Sequence, residues 1–598
     1  MRVSLLLFCL FTVPVHVLGL GSVKGSHEQH EVCVPDELLV KYQAATADQV
    51  RLQYREKYKI RTLRYFQSIG VDHVQLPQGV DVEEALQLYA GNRQVEYAEP
   101  NYYRYADIIP DDPFFGQLWG MDNNGQDGGL ADADIDAPEA WNITTGNGEV
   151  VVAVIDSGID YDHPDLAANI WTNPAEIAGN GIDDDANGYI DDVRGWDFIK
   201  NDNAPVANDA RGHGTHVAGI IAAEGDNAAG VAGVSWSAKI MALRFLNAFG
   251  MGTTADAILA MEYANSMGAD IINNSWGGGG YSQALKDVID ISPALVVCAA
   301  GNSGTDNDVL PHYPASYTSD NLIAVAATDN TDNLATFSNY GYTAVDVAAP
   351  GKGIVSCVPG RRTLWSDDFD DGKLDGWLKG GKKNKLTWNL TQLHSVSASY
   401  SLADSPGGEY MNRAKTWIRG PLLDFSGHNG GKLEFLLRGT SEPARDQLFV
   451  ETSLDDVTWT PMAVGITGVG YFVGVSGTLA EWTPATVDLE AYDGYPAVYF
   501  RFLFTSNRTI SADGWYIDDV TVTTASSDYD GTEYRSFSGT SMAAPHVSGI
   551  AALVKGENME LSPQQVREII KNSAEDLPSL IDKVYSGGRV NAFDALIY

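Results

Sequence analysis

Three short runs of almost unbroken apolar residues are separated by helix-like text. They are VVVAVIDSG from Val150, IINNSW from Ile271 and LVVCAAGN from Leu295, and between them lie stretches such as GTHVAGIIAAE and TADAILAMEYANSMG. A strand with one wet face alternates apolar and polar residues. These runs show no polar face, so each must be buried on both sides. Strands of that kind joined by helices fold as a mostly parallel sheet with helices on both faces, an α/β architecture. The pattern begins near Ile109 and is interrupted. From Leu364 to Thr524 helical periodicity gives way to short alternating strands, among them KLEFLLRG, QLFVETS, VYFRFLFTS and GWYIDDVTVTT, which is the pattern of an all-β sandwich. Helix-forming text resumes at Ser541. The β unit is therefore an insertion, tolerated where its two ends meet at a surface loop.

Ahead of this, ELLVKYQ, TADQVRLQYREKY, VDHVQL, VEEALQLYA and VEYAEPNYY alternate strand and helix between Pro35 and Tyr105. They read as a small βαβ-type α+β unit with an extended tail, followed by the linker ADIIPDDPFF. The opening residues MRVSLLLFCLFTVPVHVLGLGS read as a secretory signal cut near Gly19 to Gly21. The alternative is a retained anchor, of about 18 apolar residues and marginal for spanning a bilayer. The expected boundaries are 1–21, 22–108, 109–361, 362–526 and 527–598. With 79 acidic against 39 basic residues the net charge is −40, which disfavours nucleic acid and anionic membranes as partners. Cys9 would leave with the signal; Cys298 and Cys357 either pair or remain buried thiols.

Four turns carry reactive side chains. In FSGTSMAAPHVSG, Ser541 stands directly before an apolar helix, where unpaired N–H groups and the helix dipole favour negative charge. The same position suits an ordinary helix cap. VVAVIDSGID ends a strand at Asp156, whose carboxylate can point into a crevice at the carboxyl edge of the sheet. GHGTHVAGI sets His213 at a helix start among glycines, and VVCAAGNSG sets Asn302 on a glycine-flanked turn. Singly, each is a common turn or cap residue. Together they compose a nucleophile, a base that takes its proton, a carboxylate that fixes the base's tautomer, and an amide donor for an oxyanion.

VIDSGID, HGTHVAG, AAGNSG and SGTSMAAPHVSG, in the order Asp, His, Asn, Ser, resemble the subtilisin-like serine proteases, whose chain order this is. The resemblance covers about Ile109–Pro359 and Asp528–Tyr598, and PDDPFFGQLWGMD resembles the thermitase-like branch. It implies a secreted serine endopeptidase acting on protein or peptide substrates through Asp156, His213 and Ser541, with Asn302 as oxyanion donor and His216 as a structural histidine. It further implies that Ser275, Trp276, Gly277 and Gly278 line the substrate cleft and pair with the substrate as an added strand, with His312 at the floor of the first pocket. Trp276 has a second reading as a core side chain. The unit from Pro35 to Tyr105 resembles an inhibitory propeptide, the chain's own intramolecular inhibitor, with VEYAEPNYYRY in the cleft and a cut between Arg104 and Ile109. Its alternative is an accessory domain kept in the mature protein. The insertion resembles jelly-roll modules of the MAM or concanavalin-like kind, which leaves two readings, a module with a glycan or protein ligand and a plain spacer. Two rival functions follow: a binding protein on a protease scaffold, and a processing protease with a narrow substrate set.

Calcium is the cofactor the acidic clusters suggest. In DDDANGYIDD, Asp183, Asp185 and Asn187 offer oxygens at alternate positions before Gly188, which resembles the start of an EF-hand loop. The closing Glu is missing, Arg194 standing in its place, so Asp191 or Asp192 would substitute. The thermitase-like resemblance implies a second calcium site at Asp112, Asp165 and Asn227. A third cluster near Asp197 and Asp202 has Lys200 where a ligand is wanted. HGTH lacks the Glu of a zinc-protease helix, which argues against a zinc hydrolase.

Overall fold

The computed structural model describes residues 33–598 except 44–46, 78, 81, 103–107, 208–211, 382–386, 397–398, 468 and 527–532. The expected signal at 1–21 lies outside the described residues, as do 104–107 of the expected cleavage stretch. The chain forms two compact units, Met1–Ala106 and Asp107–Tyr598.

In the first unit the order is β1 (Cys33–Tyr42), α1 (Ala47–Tyr58), β2 (Arg61–Phe66), β3 (Val71–Gln75), α2 (Val82–Ala90) and β4 (Val95–Tyr102). The sheet order is β2-β3-β1-β4, and every pairing is antiparallel. This refines the βαβ reading: the parallel strands β1 and β2 are not neighbours, because β3 returns between them, giving a split βαβ arrangement. The cause is the tight turn after Phe66, where the N–H groups of Ile69 and Gly70 both donate to the Phe66 carbonyl and Gly70 takes φ +71°. Leu38 and Val40 of β1 and Val74 of β3 are buried with Val50 and Tyr54 of α1 and Ala85 and Tyr89 of α2.

In the second unit α3 (Ala137–Trp141) precedes β5 (Val151–Asp156), β6 (Gly195–Asp197), α4 (His213–Ala222), β7 (Lys239–Arg244), α5 (Thr254–Ser266), β8 (Ile271–Asn274), α6 (Gln283–Asp290), β9 (Leu295–Ala299), β10 (Leu322–Thr328), β11 (Val347–Pro350) and β12 (Ile354–Cys357). After the insertion come α7 (Thr540–Glu557), α8 (Pro563–Asn572) and α9 (Ala592–Ile597). Strands β11-β10-β9-β8-β5-β7-β6 lie in that order, all parallel, with two short strands, Gly588–Arg589 and Glu575–Asp576, beyond β11. Val152 and Val154 of β5 pack with α4 and α7 on one face, Ala153 and Ile155 with α5 and α6 on the other. The doubly covered sheet expected from the apolar runs is therefore the one that forms. The chain lays β6 and β7 on one side of β5 and β8 to β11 on the other, so a switch point falls at the carboxyl end of β5, where crevices open in such sheets.

The insertion is two antiparallel sheets around a core rich in aromatic side chains, including Trp377, Phe425, Phe500, Phe502 and Trp515. Its first strand, Arg361–Asp367, pairs antiparallel with its last, Gly514–Ala525, so the ends meet. Below them β12 pairs antiparallel with Tyr534–Phe537, which makes a two-stranded stalk leading into and out of the β unit. Cys298 and Cys357 are both buried free thiols, and burial pushes the Cys298 thiol up to about 12.

Candidate active site

Asp156 is the last residue of β5 and fully buried. His213 is the first residue of α4, and two glycines let it approach. A Cβ on Gly212 would stand 2.0 Å from Pro359 Cδ, and one on Gly214 would stand 2.3 Å from the Gly158 carbonyl. His213 Nδ1 lies 2.8 Å and 3.0 Å from the two Asp156 carboxylate oxygens. A proton on Nδ1, shared with the carboxylate, makes Nε2 the basic nitrogen.

Ser541 is the second residue of α7. Pro545 in this helix has no N–H to offer the carbonyl four residues back, which is that of Ser541. The hydroxyl of Ser275, just after β8, fills the gap by donating to the Ser541 carbonyl at 2.9 Å. In return the Ser541 hydroxyl donates to the Ser275 carbonyl at 2.9 Å. This reciprocal pair ties the helix start to the end of β8.

Asn302 follows β9. The Thr540 N–H and hydroxyl donate to its side-chain oxygen at 2.8 Å and 3.1 Å, and since an N–H only donates, the amide oxygen must face Thr540. Its Nδ2 turns to the other side. A Cβ on Gly539 would lie 3.3 Å from that Nδ2 and 3.6 Å from the Ser541 N, so glycine keeps open the space the two donors share. The Thr540 hydroxyl also accepts from the Gly301 N–H at 3.0 Å. Sequence reasoning passes over Thr540; its signal is only its place beside Ser541.

Ser275 is buried, Trp276 is half-buried with its ring centroid 4.7 Å from that of Phe245, and Gly277 and Gly278 are exposed. The Gly278 N–H donates to the Tyr313 carbonyl at 2.9 Å. The His312 ring fills the space between two turns: a Cβ on Gly277 would be 2.3 Å from its Nε2, and one on Gly301 3.0 Å from its Cδ2. Burial lowers its pKa, so it is a neutral polar wall. His216 is fully buried and stacks on Phe537; its Nε2 meets the carbonyls of Ile354 and Arg535 at 3.1 Å and 2.9 Å. It fastens α4 to both legs of the stalk, and burial drives its pKa down to about 3.

The acidic clusters divide. Asp112 Oδ2 accepts from the Asp226 N–H at 2.7 Å, while its buried Oδ1 has no hydrogen-bond partner. Asp165, buried nearby, accepts from the Asn227 amide at 3.3 Å and the Val231 N–H at 2.9 Å. Desolvation, with the Asp165 charge adding to it, pushes the Asp112 carboxyl up to about 6. An orphaned buried oxygen near a second buried carboxylate offers oxygen donors of the kind a hard cation takes, while Asn227 turns its amide nitrogen to Asp165 and its oxygen to the Ala229 N–H at 2.7 Å. In the second cluster, Asp183 and Asp185 meet Glu176, their carboxylate oxygens lying within 4.8 Å of one another. Asp191 and Asp192 do not join them. Asp191 accepts the N–H groups of Asn180 and Gly181 at 3.0 Å and 2.9 Å, and buried Asp192 takes Asn173, Asn187 and the Tyr263 hydroxyl. Asn187 turns its amide nitrogen to Asp185 and Asp192. Glu176, which sequence reasoning misses, stands where a closing carboxylate is wanted.

Residues 147–392 and 489–588 match the subtilase family, peptidase S8, and so cover more than half of the chain. The chain belongs to the subtilase family. Residues 26–101 match the fervidolysin N-terminal prodomain. The subtilase is 35% identical over 364 residues to the thermophilic serine proteinase of Bacillus sp. strain AK1, a match spanning 59% of this chain and 80% of that protein. It is 40% identical over 228 residues to thermitase of Thermoactinomyces vulgaris, spanning 38% of this chain and 71% of that one. It is thus a thermitase-like subtilase, a serine endopeptidase made with a propeptide. Among the described residues no helix is long and apolar enough to cross a membrane.

Proposed function

We propose that this subtilase is a secreted, calcium-stabilised endopeptidase that cuts peptide bonds through Asp156, His213 and Ser541. Rotation about the Ser541 Cα–Cβ bond carries Oγ from the Ser275 carbonyl toward the imidazole, between staggered wells. His213 Nε2 takes the hydroxyl proton as Oγ bonds to the scissile carbonyl carbon, and Asp156 stabilises the imidazolium that forms. Asn302 Nδ2 and the Ser541 N–H receive the oxyanion. Collapse expels the amine with the proton from His213, and a water activated by the same nitrogen frees the acyl group. The observation that carries the reading is the shared space beside Gly539, flanked by two donors and adjoining the nucleophile. A fluorophosphonate should bond to Ser541 alone, seen as a single modified peptide by mass spectrometry; an adduct elsewhere, or none, overturns the assignment.

Ser275 to Gly278 and His312 are the proposed substrate cleft. The first unit is the proposed intramolecular inhibitor, released by a cut between Arg104 and Ile109. Calcium, if bound, would be held by Asp112, Asp165 and Asn227 and by Glu176, Asp183 and Asp185, where its charge would offset crowded carboxylates. Asn302→Ala should lower kcat about 10²–10³-fold with KM little changed, because the donor acts on charge that exists only in the transition state. Equal losses in binding and turnover would place Asn302 in ground-state binding instead.

A further inference from the structure

In the third acidic cluster side chains supply the positive charge that a cation would bring. Arg244, the last residue of β7 and 1% exposed, donates to Asp197 at 2.7 Å. Its two terminal nitrogens also meet both carboxylate oxygens of Glu490, an insertion residue, at 3.4 Å each, and Lys200 pairs with the same carboxylate. The buried group around Cys357 is of another kind, because its donors are sulfur, nitrogen and oxygen.

His163 and Asp165 lie in the loop after β5, and Cys357 ends β12, the leg of the stalk that leads into the insertion. All three are fully buried, and a ring nitrogen of His163, the Cys357 Sγ and a carboxylate oxygen of Asp165 lie within 4.8 Å of one another. The sulfur also lies against α4, since a Cβ on Gly219 would stand 2.9 Å from it. The imidazole is held in one tautomer. The Asp165 N–H donates to His163 Nδ1 at 3.2 Å, and because an N–H only donates, Nδ1 carries a lone pair. Nε2 then carries the hydrogen and meets the Glu533 carbonyl, next to the other leg of the stalk, at 3.4 Å. A histidine that turns its outer nitrogen to a backbone carbonyl is arranged as metal-binding histidines are. The carboxylate has a neighbour too. Tyr534, in register with Cys357, brings its hydroxyl beside Asp165 Oδ2: a Cβ on Gly230 would lie 2.1 Å from the one and 2.2 Å from the other.

We propose that His163, Asp165 and Cys357 form a site for a zinc-class divalent cation, which clasps the stalk of the insertion to the loop that follows Asp156. The donors choose the ion. Calcium takes oxygens, whereas thiolate and imidazole suit zinc, which holds sulfur at about 2.3 Å and nitrogen at about 2.0 Å. A tetrahedron of those bond lengths sets its corners about 3.5 Å apart, so binding draws the present group in by roughly 1 Å. The thiol proton leaves to solvent as the metal–sulfur bond forms. Water takes the fourth position. Asp165 has two oxygens and can serve this ion and the proposed calcium together.

The test uses the full secreted chain with calcium in excess, so that sites made of oxygen alone are filled. Elemental mass spectrometry after gel filtration from micromolar zinc should find one zinc per chain. Cobalt in place of zinc should give the near-ultraviolet charge-transfer band of a cobalt thiolate. Cys33→Ser with Cys298→Ser leaves Cys357 as the one thiol beyond the signal, and should keep both the zinc and the band. Cys357→Ser should lose the band and bind zinc on the order of 100-fold more weakly, since even an outer partner of a ligand is worth about 10–100-fold. Its melting temperature in calcium alone should match the wild type's, which shows that it folds. A wild type that retains no zinc overturns the proposal, as does a Cys33→Ser, Cys298→Ser chain without the band. Zinc held undiminished by Cys357→Ser overturns it as well, because the ion then sits at another group.

Discussion

Ser541→Ala should leave the chain uncut after signal removal, while the wild type, expressed with calcium, begins near Ile109. The expected loss of kcat is on the order of 10⁶-fold, since nucleophile, base and orienting carboxylate act as one unit and removing the nucleophile disables all three. The residual rate would come from Asn302, the Ser541 N–H and binding alone. Intact mass and N-terminal sequencing of both secreted proteins read the result directly. If both proteins begin at the same residue near Ile109, Ser541 does not process its own chain. If neither is cut past the signal site, the first unit is not a propeptide that maturation removes.

The sheet is legible in the sequence because burial on both faces erases polar alternation: VVVAVID and LVVCA are apolar up to the strand end, and IINN opens on two isoleucines and buries its two asparagines. The turns bearing Asp156, His213, Ser541 and Asn302 are legible for a related reason. Each sits where a regular element stops and glycines permit close approach, and the structure gathers these strand and helix ends along one edge of the sheet. What sequence periodicity does not carry is partnership at long range. Glu176 lies in a turn with no pattern of its own and joins Asp183 and Asp185 only because the chain doubles back. Arg244 and Glu490 are 246 residues apart, and nothing in either neighbourhood announces the pair. The split order of the first unit likewise depends on a return strand that local alternation cannot distinguish from a crossover.

Calcium removal should lower the melting temperature by on the order of 10 °C. A site a thousandfold above its Kd stabilises by about 4 kcal/mol, and for domains of this class each kcal/mol moves the midpoint by roughly 2–4 °C. The sharper experiment is Asp112→Asn, because its sign depends on the metal. Without calcium, the buried Asp112 oxygen has no partner and faces the Asp165 charge. Replacing a desolvated carboxylate by an amide then relieves repulsion, so the variant should melt at or above the wild type in excess chelator. With calcium the order should reverse, because the variant forfeits a charged ligand and with it most of the metal's stabilisation. Differential scanning calorimetry of both proteins, with and without calcium, gives four melting temperatures. Crossing curves identify a cation site; a wild type indifferent to chelator, or a variant less stable in both conditions, would mean that Asp112 serves the loop through its hydrogen bond to Asp226 alone.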